Sequence, residues 1–321
     1  MKHVFILNPA AGNGKIARKL HPLIIDAVKN NDLSYEIHRT VSLGDARNYT
    51  RNKCIEAGKE SIRFYACGGD GTINEVLNGL IYAPNAELAI IPSGTGNDFV
   101  RNFDDPKRFL DIEAQIHGET IKTDALMYEF LDLTDEEKKS YEEQNKSISG
   151  YALNMFNIGF DAQAVAKAAY YKTKPFINGT MAYIAGVLNV LIELKAVEIQ
   201  IIPNEGEVIR GDFTLMGIAN GRFSGGGFDG TPQAKIDDGL MDISLVKKVT
   251  RRFFLSFVKR YHDGKHTKDP ALKEIYSHFR SNSVTIKPAE KVVLAIDGET
   301  VEVGNVRFGL REKAVRIVIP K

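Results

Sequence analysis

Gly68-Gly69-Asp70-Gly71-Thr72 is the stretch of this 321-residue chain whose residue types most directly invite chemistry. Glycines at 68, 69 and 71 let the backbone fold tightly and bring its N–H groups close to an anion. Thr72 and Glu75 stand at capping-box spacing, which predicts a helix starting here with its positive end aimed at the same spot. Asp70 is the informative residue, because a carboxylate beside a phosphate is repulsive unless a divalent cation lies between them. The plainer reading is a glycine turn whose aspartate satisfies local N–H groups. A second stretch, Pro92-Ser93-Gly94-Thr95-Gly96-Asn97-Asp98-Phe99, offers close backbone approach and neutral donors suited to phosphate or ribose oxygens. Asn97 or Asp98 can also cap the helix that follows. A third, Asn8 to Lys15, carries Gly12-x-Gly14-x-x-Ala17, the letters of a dinucleotide fingerprint. Asn8 to Ala11 separate that first glycine from the preceding apolar run, and a true fingerprint has no such gap. As a Walker A motif it fails at Pro9 and Ile16. Nicotinamide chemistry and an ordinary P-loop ATPase are therefore disfavoured, while three small-residue loops still point to nucleotide phosphates.

Asp297-Gly298-Glu299 follows the apolar run Val292–Ile296. In an extended chain residues i and i+2 point to one side, so both carboxylates could face one cleft. Taken alone, the triplet reads more readily as a hairpin turn with two solvated acids.

The elements that would position these residues change character along the chain. Up to Asp124, apolar runs at His3–Leu7, Ser34–His38, Arg63–Cys67, Leu88–Pro92 and Thr120–Asp124 predict strands. Between them Ile16–Val28, Ala46–Ala57 and Ile73–Tyr82 have helical spacing. That alternation implies an α/β domain with a parallel sheet, and ligands in such sheets sit at the carboxyl ends of the strands. Beyond Asp124, residues 150–158, 196–202, 208–220, 240–247, 282–288, 291–297 and 314–319 read as strands of a mainly antiparallel β-sandwich. Helices are expected there at Ala162–Tyr171, Gly179–Leu194 and Arg251–Tyr261, and Asp132–Lys146 reads as a solvated loop or hairpin tip. The expected domains are residues 1–124 and 125–309, with the strand at 310–321 free to return to the first.

Lys and Arg number 42 against 41 Asp and Glu, so the net charge of +1 lacks the basic excess of a nucleic-acid-binding protein. Two cysteines, Cys54 and Cys67, cannot make a disulfide framework. Without a recognisable signal core or a bilayer-length apolar run, the expectation is a soluble, intracellular protein.

NPAAGNGK at 8–15, CGGDGT at 67–72 and PSGTGNDFVR at 92–101 together resemble the diacylglycerol kinase catalytic domain of the bacterial diacylglycerol/sphingosine lipid kinases. Asn157–Ala162, Asn220 with Gly225–Gly227, Lys235–Gly239 and Asp297–Glu299 are similar to the same family's pattern. The resemblance implies a nucleotide-binding domain of the NAD kinase/phosphofructokinase type. It implies ATP in an interdomain cleft, held at Asn8, Gly12, Thr40, Gly68, Gly69, Asp70, Gly71, Thr72 and Thr95. It further implies magnesium organised through water by Asp70 and Asp124, and a second, structural magnesium at Lys235, Asp238 and Leu240. With it, Glu299 becomes the base and Asp297 its electrostatic partner. The implied activity is transfer of the ATP γ-phosphate to a lipid hydroxyl, with diacylglycerol to phosphatidic acid placed first, which belongs to phospholipid biosynthesis. The rivals are an NAD kinase-like enzyme and a non-catalytic nucleotide- or lipid-binding protein. The expected location is cytoplasmic and peripheral at the membrane, without nucleic acid, and the state is open between monomer and homodimer. Lys247–Lys268 bears eight Lys/Arg interleaved with Phe253, Phe254, Leu255, Phe257 and Val258. It reads either as a basic helix lying on an anionic bilayer or as a helix burying its phenylalanines.

Overall fold

The computed structural model describes residues 1–11, 15–144, 146–174 and 179–321. The chain divides into two compact units, Met1–Ala125 with Glu312–Lys321, and Leu126–Arg311.

The first unit alternates β1 (Lys2–Leu7), α1 (Lys15–Asn30), β2 (Tyr35–Arg39), α2 (Asp45–Ala57), β3 (Ile62–Gly68), α3 (Asp70–Leu80), β4 (Ala86–Pro92) and α4 (Ile112–Ile116). β5 (Glu119–Phe130) then carries the chain out of it. β1 pairs parallel with β2 and β3, and β3 with β4. Every residue of β3 and β4 is buried, so neither strand alternates, and the two charges among them, Arg63 and Glu87, pair with each other at 2.8 Å. α1 packs Leu20, Ile24, Ala27 and Val28 against Phe5, Tyr65 and Ala89 of the sheet. The register is what matters for function. Leu7 lies opposite Cys67, and Gly68 opposite Pro92, so the loops after β1, β3 and β4 leave neighbouring strand ends.

The second unit contains α5 (Asp135–Glu143), β6 (Ser149–Ala152), β7 (Met155–Gly159), α6 (Phe160–Lys172), α7 (Gly179–Glu193), β8 (Val197–Pro203) and β9 (Ile209–Ala219). The short pair β10 (Phe223–Ser224) and β11 (Phe228–Asp229) follows, then β12 (Met241–Lys247) and α8 (Arg251–His262). It continues with β13 (Tyr276–Ser281), β14 (Ser283–Pro288), β15 (Val292–Ile296) and β16 (Glu299–Val303). β17 (Val306–Ile319) returns the chain to the first unit, where Ile317 pairs in parallel with Leu88. Within the second unit the pairings β15–β16, β15–β7, β7–β9, β9–β8, β8–β14 and β12–β9 are all antiparallel. Phe156, Phe213, Phe308 and the aliphatic residues around them form its core. α6 and α7 pack together so tightly that a Cβ at Gly186 would lie 2.7 Å from the Ala164 carbonyl oxygen.

Two expectations change, and α8 bears on an alternative left open. Asp132–Lys146 contains a helix, α5, whose capping box joins Thr134 to Glu137, and Tyr141 anchors it by donating to the Glu302 carbonyl at 2.6 Å. The expected strand 150–158 is broken at Leu153–Asn154 into β6 and β7. Phe254 and Phe257 of α8 are buried at 3% and 1% exposure, so its aromatic residues belong to the core.

Candidate functional site

The glycine loops of the first unit meet backbone to backbone. A Cβ on Gly94 would stand 2.5 Å from the Gly69 Cα, and one on Gly96 would stand 2.7 Å from the Asp70 Oδ2. Only glycine allows this approach. Gly69 caps α3 without any side-chain bond, which leaves the first N–H groups of an eleven-residue helix at the loop junction. Asp70 joins the loops, its Oδ2 accepting from the Asn97 N–H at 3.0 Å and its Oδ1 from the Asp98 N–H at 3.2 Å. Asn97 sits at φ 51°, a left-handed position that Asn tolerates better than most residues. Its side chain accepts from the Gly94 N–H at 2.9 Å and donates to the Gly94 carbonyl at 3.0 Å.

Asn8 reaches this junction from β1, donating through Nδ2 to the Thr72 Oγ1 at 2.9 Å. Thr40 follows β2 and donates its N–H to the Leu7 carbonyl at 3.1 Å. Thr95 is exposed at the tip of the second loop, and the Ser93 side chain beside it is buried. Asn8, Thr40, Gly69, Asp70, Gly71, Thr72 and Thr95 thus lie in loops or helix starts at the carboxyl ends of β1 to β4, and Gly68 is the last residue of β3. Gly12 lies outside the described residues. Burial pushes the Cys67 thiol well above its ordinary range, so it stays protonated and is no nucleophile.

The capping box expected at Thr72 and Glu75 does not form. Glu75 turns to the neighbouring helix instead, accepting from the Gly44 N–H at 2.8 Å and the Arg47 N–H at 3.4 Å at the start of α2. Here a tertiary partner outcompetes the local one.

Magnesium is normally held by one or two carboxylates together with substrate phosphates and waters, without a dedicated protein cage. Asp70 fits that arrangement, being a carboxylate at the junction of the two glycine loops with its oxygens fixed by the Asn97 and Asp98 N–H groups. Asp124 fits less directly: it is fully buried in β5, and its Oδ1 accepts from the Lys313 N–H at 2.6 Å. Among the described residues, no three His, Cys, Asp or Glu side chains gather as a metal site. For the second ion, Asp238 already faces the Arg280 guanidinium at 3.2 Å and accepts from the Leu240 N–H at 3.3 Å, while Lys235 is exposed. Arg280 also pairs with Asp242 at 3.2 Å, and a structural magnesium at Asp238 with the backbone carbonyls of Lys235 and Leu240 stands as a proposal.

In the second unit, the extended-chain argument for Asp297 and Glu299 does not hold. Asp297 and Gly298 have φ of 45° and 88° and form the two-residue turn between β15 and β16. Asp297 accepts three backbone N–H groups, from Leu153 at 2.9 Å, Asn154 at 3.0 Å and Met155 at 3.1 Å. Its carboxylate ties the break between β6 and β7 to the hairpin. Glu299 opens β16 and is exposed. The two acids therefore have different surroundings, one anchoring backbone and one facing solvent. Sequence reasoning missed the acceptors of the Leu153–Met155 amides because nothing local marks a partner about 140 residues away. It also missed Arg222, which pairs with Asp229 at 2.6 Å beside the Gly225–Gly227 run.

The diacylglycerol kinase catalytic domain model matches residues 2–128, and the YegS C-terminal NAD kinase beta sandwich-like domain model matches residues 154–319. A diacylglycerol kinase of Staphylococcus epidermidis is 29% identical over 323 residues, covering 98% of this chain and 91% of its own. A YegS-like lipid kinase of Shewanella frigidimarina is 29% identical over 258 residues, covering 79% and 75%. The crystal structure of a diacylglycerol kinase from Bacillus anthracis superposes with a TM-score of 0.66 at 21% identity, over 99% of this chain and 96% of that one, and shares the fold. With both halves matched in order, the chain belongs to the diacylglycerol kinase family of YegS-like lipid kinases.

Proposed function

We propose that this lipid kinase transfers the γ-phosphate of ATP to the free hydroxyl of diacylglycerol, giving phosphatidic acid and ADP. The observation that carries the nucleotide part is the Gly69–Gly94 contact bridged by Asp70 at the uncapped start of α3. Backbone N–H groups and a helix N-terminus together favour phosphate oxygens. Asn8, Thr40, Thr72 and Thr95 supply neutral polar groups around the same strand ends. Magnesium arriving with the nucleotide supplies charge neutralisation on the phosphate oxygens, with Asp70 as its protein-side carboxylate.

Glu299 is the proposed base. The lipid hydroxyl gives its proton to the Glu299 carboxylate, the lipid oxygen forms a bond to the γ-phosphorus, and the bond from that phosphorus to the β–γ bridging oxygen breaks. ADP leaves with the electron pair. Asp297 becomes a positioning residue, because its oxygens hold backbone and fix the turn from which Glu299 projects. No helix among the described residues is long and apolar enough to cross a membrane; diacylglycerol, whose acyl tails sit in a bilayer, would be met at a bilayer surface.

The test is purified protein with radiolabelled ATP and magnesium against diacylglycerol, a sphingoid base, a polyprenol and NAD as separate acceptors. Label in phosphatidic acid is the expected result. Label in NADP alone overturns the lipid acceptor, and label in another lipid overturns diacylglycerol while leaving lipid phosphorylation standing.

A further inference from the structure

Solvent-facing apolar residues in a folded domain are ordinary when scattered and informative when aligned. On α7, Met181, Ile184, Leu188 and Ile192 are each more than half exposed. Their spacing places them on one stripe of the helix, about 16 Å long at 1.5 Å per residue. The opposite side of the helix is already occupied, since Ala182 and Val190 are buried and Gly186 packs onto Ala164 and Ala168 of α6. α7 contains one charged residue, Glu193, at its very end.

Beside it lies α8, joined through a shared cluster of Phe160, Ala164, Val190 and Phe254. The exposed residues of α8 include Arg251, Arg252, Leu255, Ser256 and Lys259, and the helix contains no acid. Arg251, Arg252 and Lys259 make no ion pair among the described residues. Two arginines in the first turn oppose the helix dipole, so helix stability does not account for them. An apolar stripe flanked by unpaired cations is complementary to one surface in particular, a bilayer with anionic headgroups. A second copy of the chain would bring like charges toward one another.

We propose that the α7 stripe inserts shallowly into an anionic lipid surface while the α8 cations bind its headgroups. The inference rests on the lipid-kinase reading for its purpose: α6, which carries α7, packs against β15 and β16, the hairpin bearing Glu299. A lipid entering beside α7 would keep its tail in the bilayer side of the helices and bring its hydroxyl toward that turn.

The chain contains no tryptophan, so Leu188→Trp introduces a single reporter on the stripe, and Ile55→Trp on α2 is the matched control. With vesicles of phosphatidylcholine and phosphatidylglycerol, the reporter at 188 should shift to the blue and be quenched by brominated acyl chains, and the one at 55 should not. Ile184→Gln, Leu188→Gln and Ile192→Gln together should weaken vesicle binding by about tenfold or more with unchanged melting temperature. Arg251→Gln, Arg252→Gln and Lys259→Gln should weaken it on anionic vesicles and leave the weaker binding to pure phosphatidylcholine unaltered. Wild-type vesicle binding by the triple Gln variant of α7 overturns the proposal, as does concentration-dependent self-association of the reporter protein with no vesicle response. Short-chain diacylglycerol below its micelle concentration separates the two readings. The α7 triple variant should phosphorylate it as wild type does, while losing activity on vesicles. If wild type phosphorylates no lipid yet Trp at 188 inserts, the surface stands and the diacylglycerol reading falls.

Discussion

Asp297 and Glu299 differ in what surrounds them, and that separates the phenotypes expected of their amides. Glu299 is exposed, so Glu299→Gln should leave the melting temperature unchanged. It keeps shape and hydrogen bonding but cannot take the proton, so kcat should fall by about 10²-fold or more with ATP affinity retained. Asp297→Asn replaces one of two acceptor oxygens with an N–H₂ that must face backbone N–H groups. Leaving such donors unsatisfied typically costs about 1–3 kcal/mol, and the melting temperature should drop by several degrees. Steady-state kinetics alongside thermal melts distinguish the two. A kinetically dead, thermally normal Asp297→Asn with an active Glu299→Gln would reverse the assignment. The same logic applies to Asp70, whose oxygens accept the N–H groups of Asn97 and Asp98. Asp70→Asn should abolish turnover and also loosen the second loop. Wild-type turnover in that variant would remove Asp70 from the phosphate site.

At the level of elements, the glycine loops work as a pair, and their contact can be opened by one atom. Gly94→Ala places a Cβ against the Gly69 Cα, where neither backbone can yield without moving a loop. The expected result is at least a tenfold rise in the ATP dissociation constant, about 1.4 kcal/mol, measured by titration calorimetry, with far-UV circular dichroism preserved. Unchanged ATP affinity would show that the loops need not touch to bind. The loops were legible in the sequence because their glycines and strand–turn–helix context are local signals. So was the alternation of buried strands and helices in the first unit. What local patterns did not reveal is non-local. Glu75 could cap its own helix or another, and only packing of α2 on α3 decides that it serves Gly44 and Arg47. Asp297 looked like a solvated turn acid because the amides it binds lie far away in the chain. β13 went unread, its Ser277, His278 and Arg280 diluting the apolar alternation that marks a strand. α5 is the opposite case: its Thr134–Glu137 capping box was visible, and the density of charge obscured it.

For the whole molecule, two buried histidines, one in each unit, set how stability should respond to acid. His3 lies in β1, 6% exposed, its Nδ1 within 2.8 Å of the Tyr65 hydroxyl. Burial, with the nearby Arg63 charge and the chain's amino terminus adding to it, lowers its pKa from 6.5 to about 4. His266 is 1% exposed, its ring 4.6 Å from that of Tyr261 and 4.8 Å from that of Tyr276. Burial likewise lowers its pKa to about 4, outweighing the nearby Asp229 charge. In both cases the unfolded chain takes up a proton at a higher pH than the folded one. The stability these neutral rings contribute is therefore complete above about pH 6.5 and is lost as pH falls toward about 4, by up to about 3 kcal/mol each. Carboxylates held low in the fold, such as Glu36 beside Lys53, respond in a lower window, because their unfolded values lie near about 4.3. The interval between about pH 6.5 and 5 therefore belongs to the histidines. Thermal melts across it should show the midpoint falling steadily with acid. His3→Phe and His266→Phe, which keep a ring in each site and remove the titration, should each flatten part of that slope, whatever they do to stability at neutral pH. A midpoint that stays level from about pH 7 to 5 in the wild-type protein would show that both imidazoles already find compensation for their charge inside the fold.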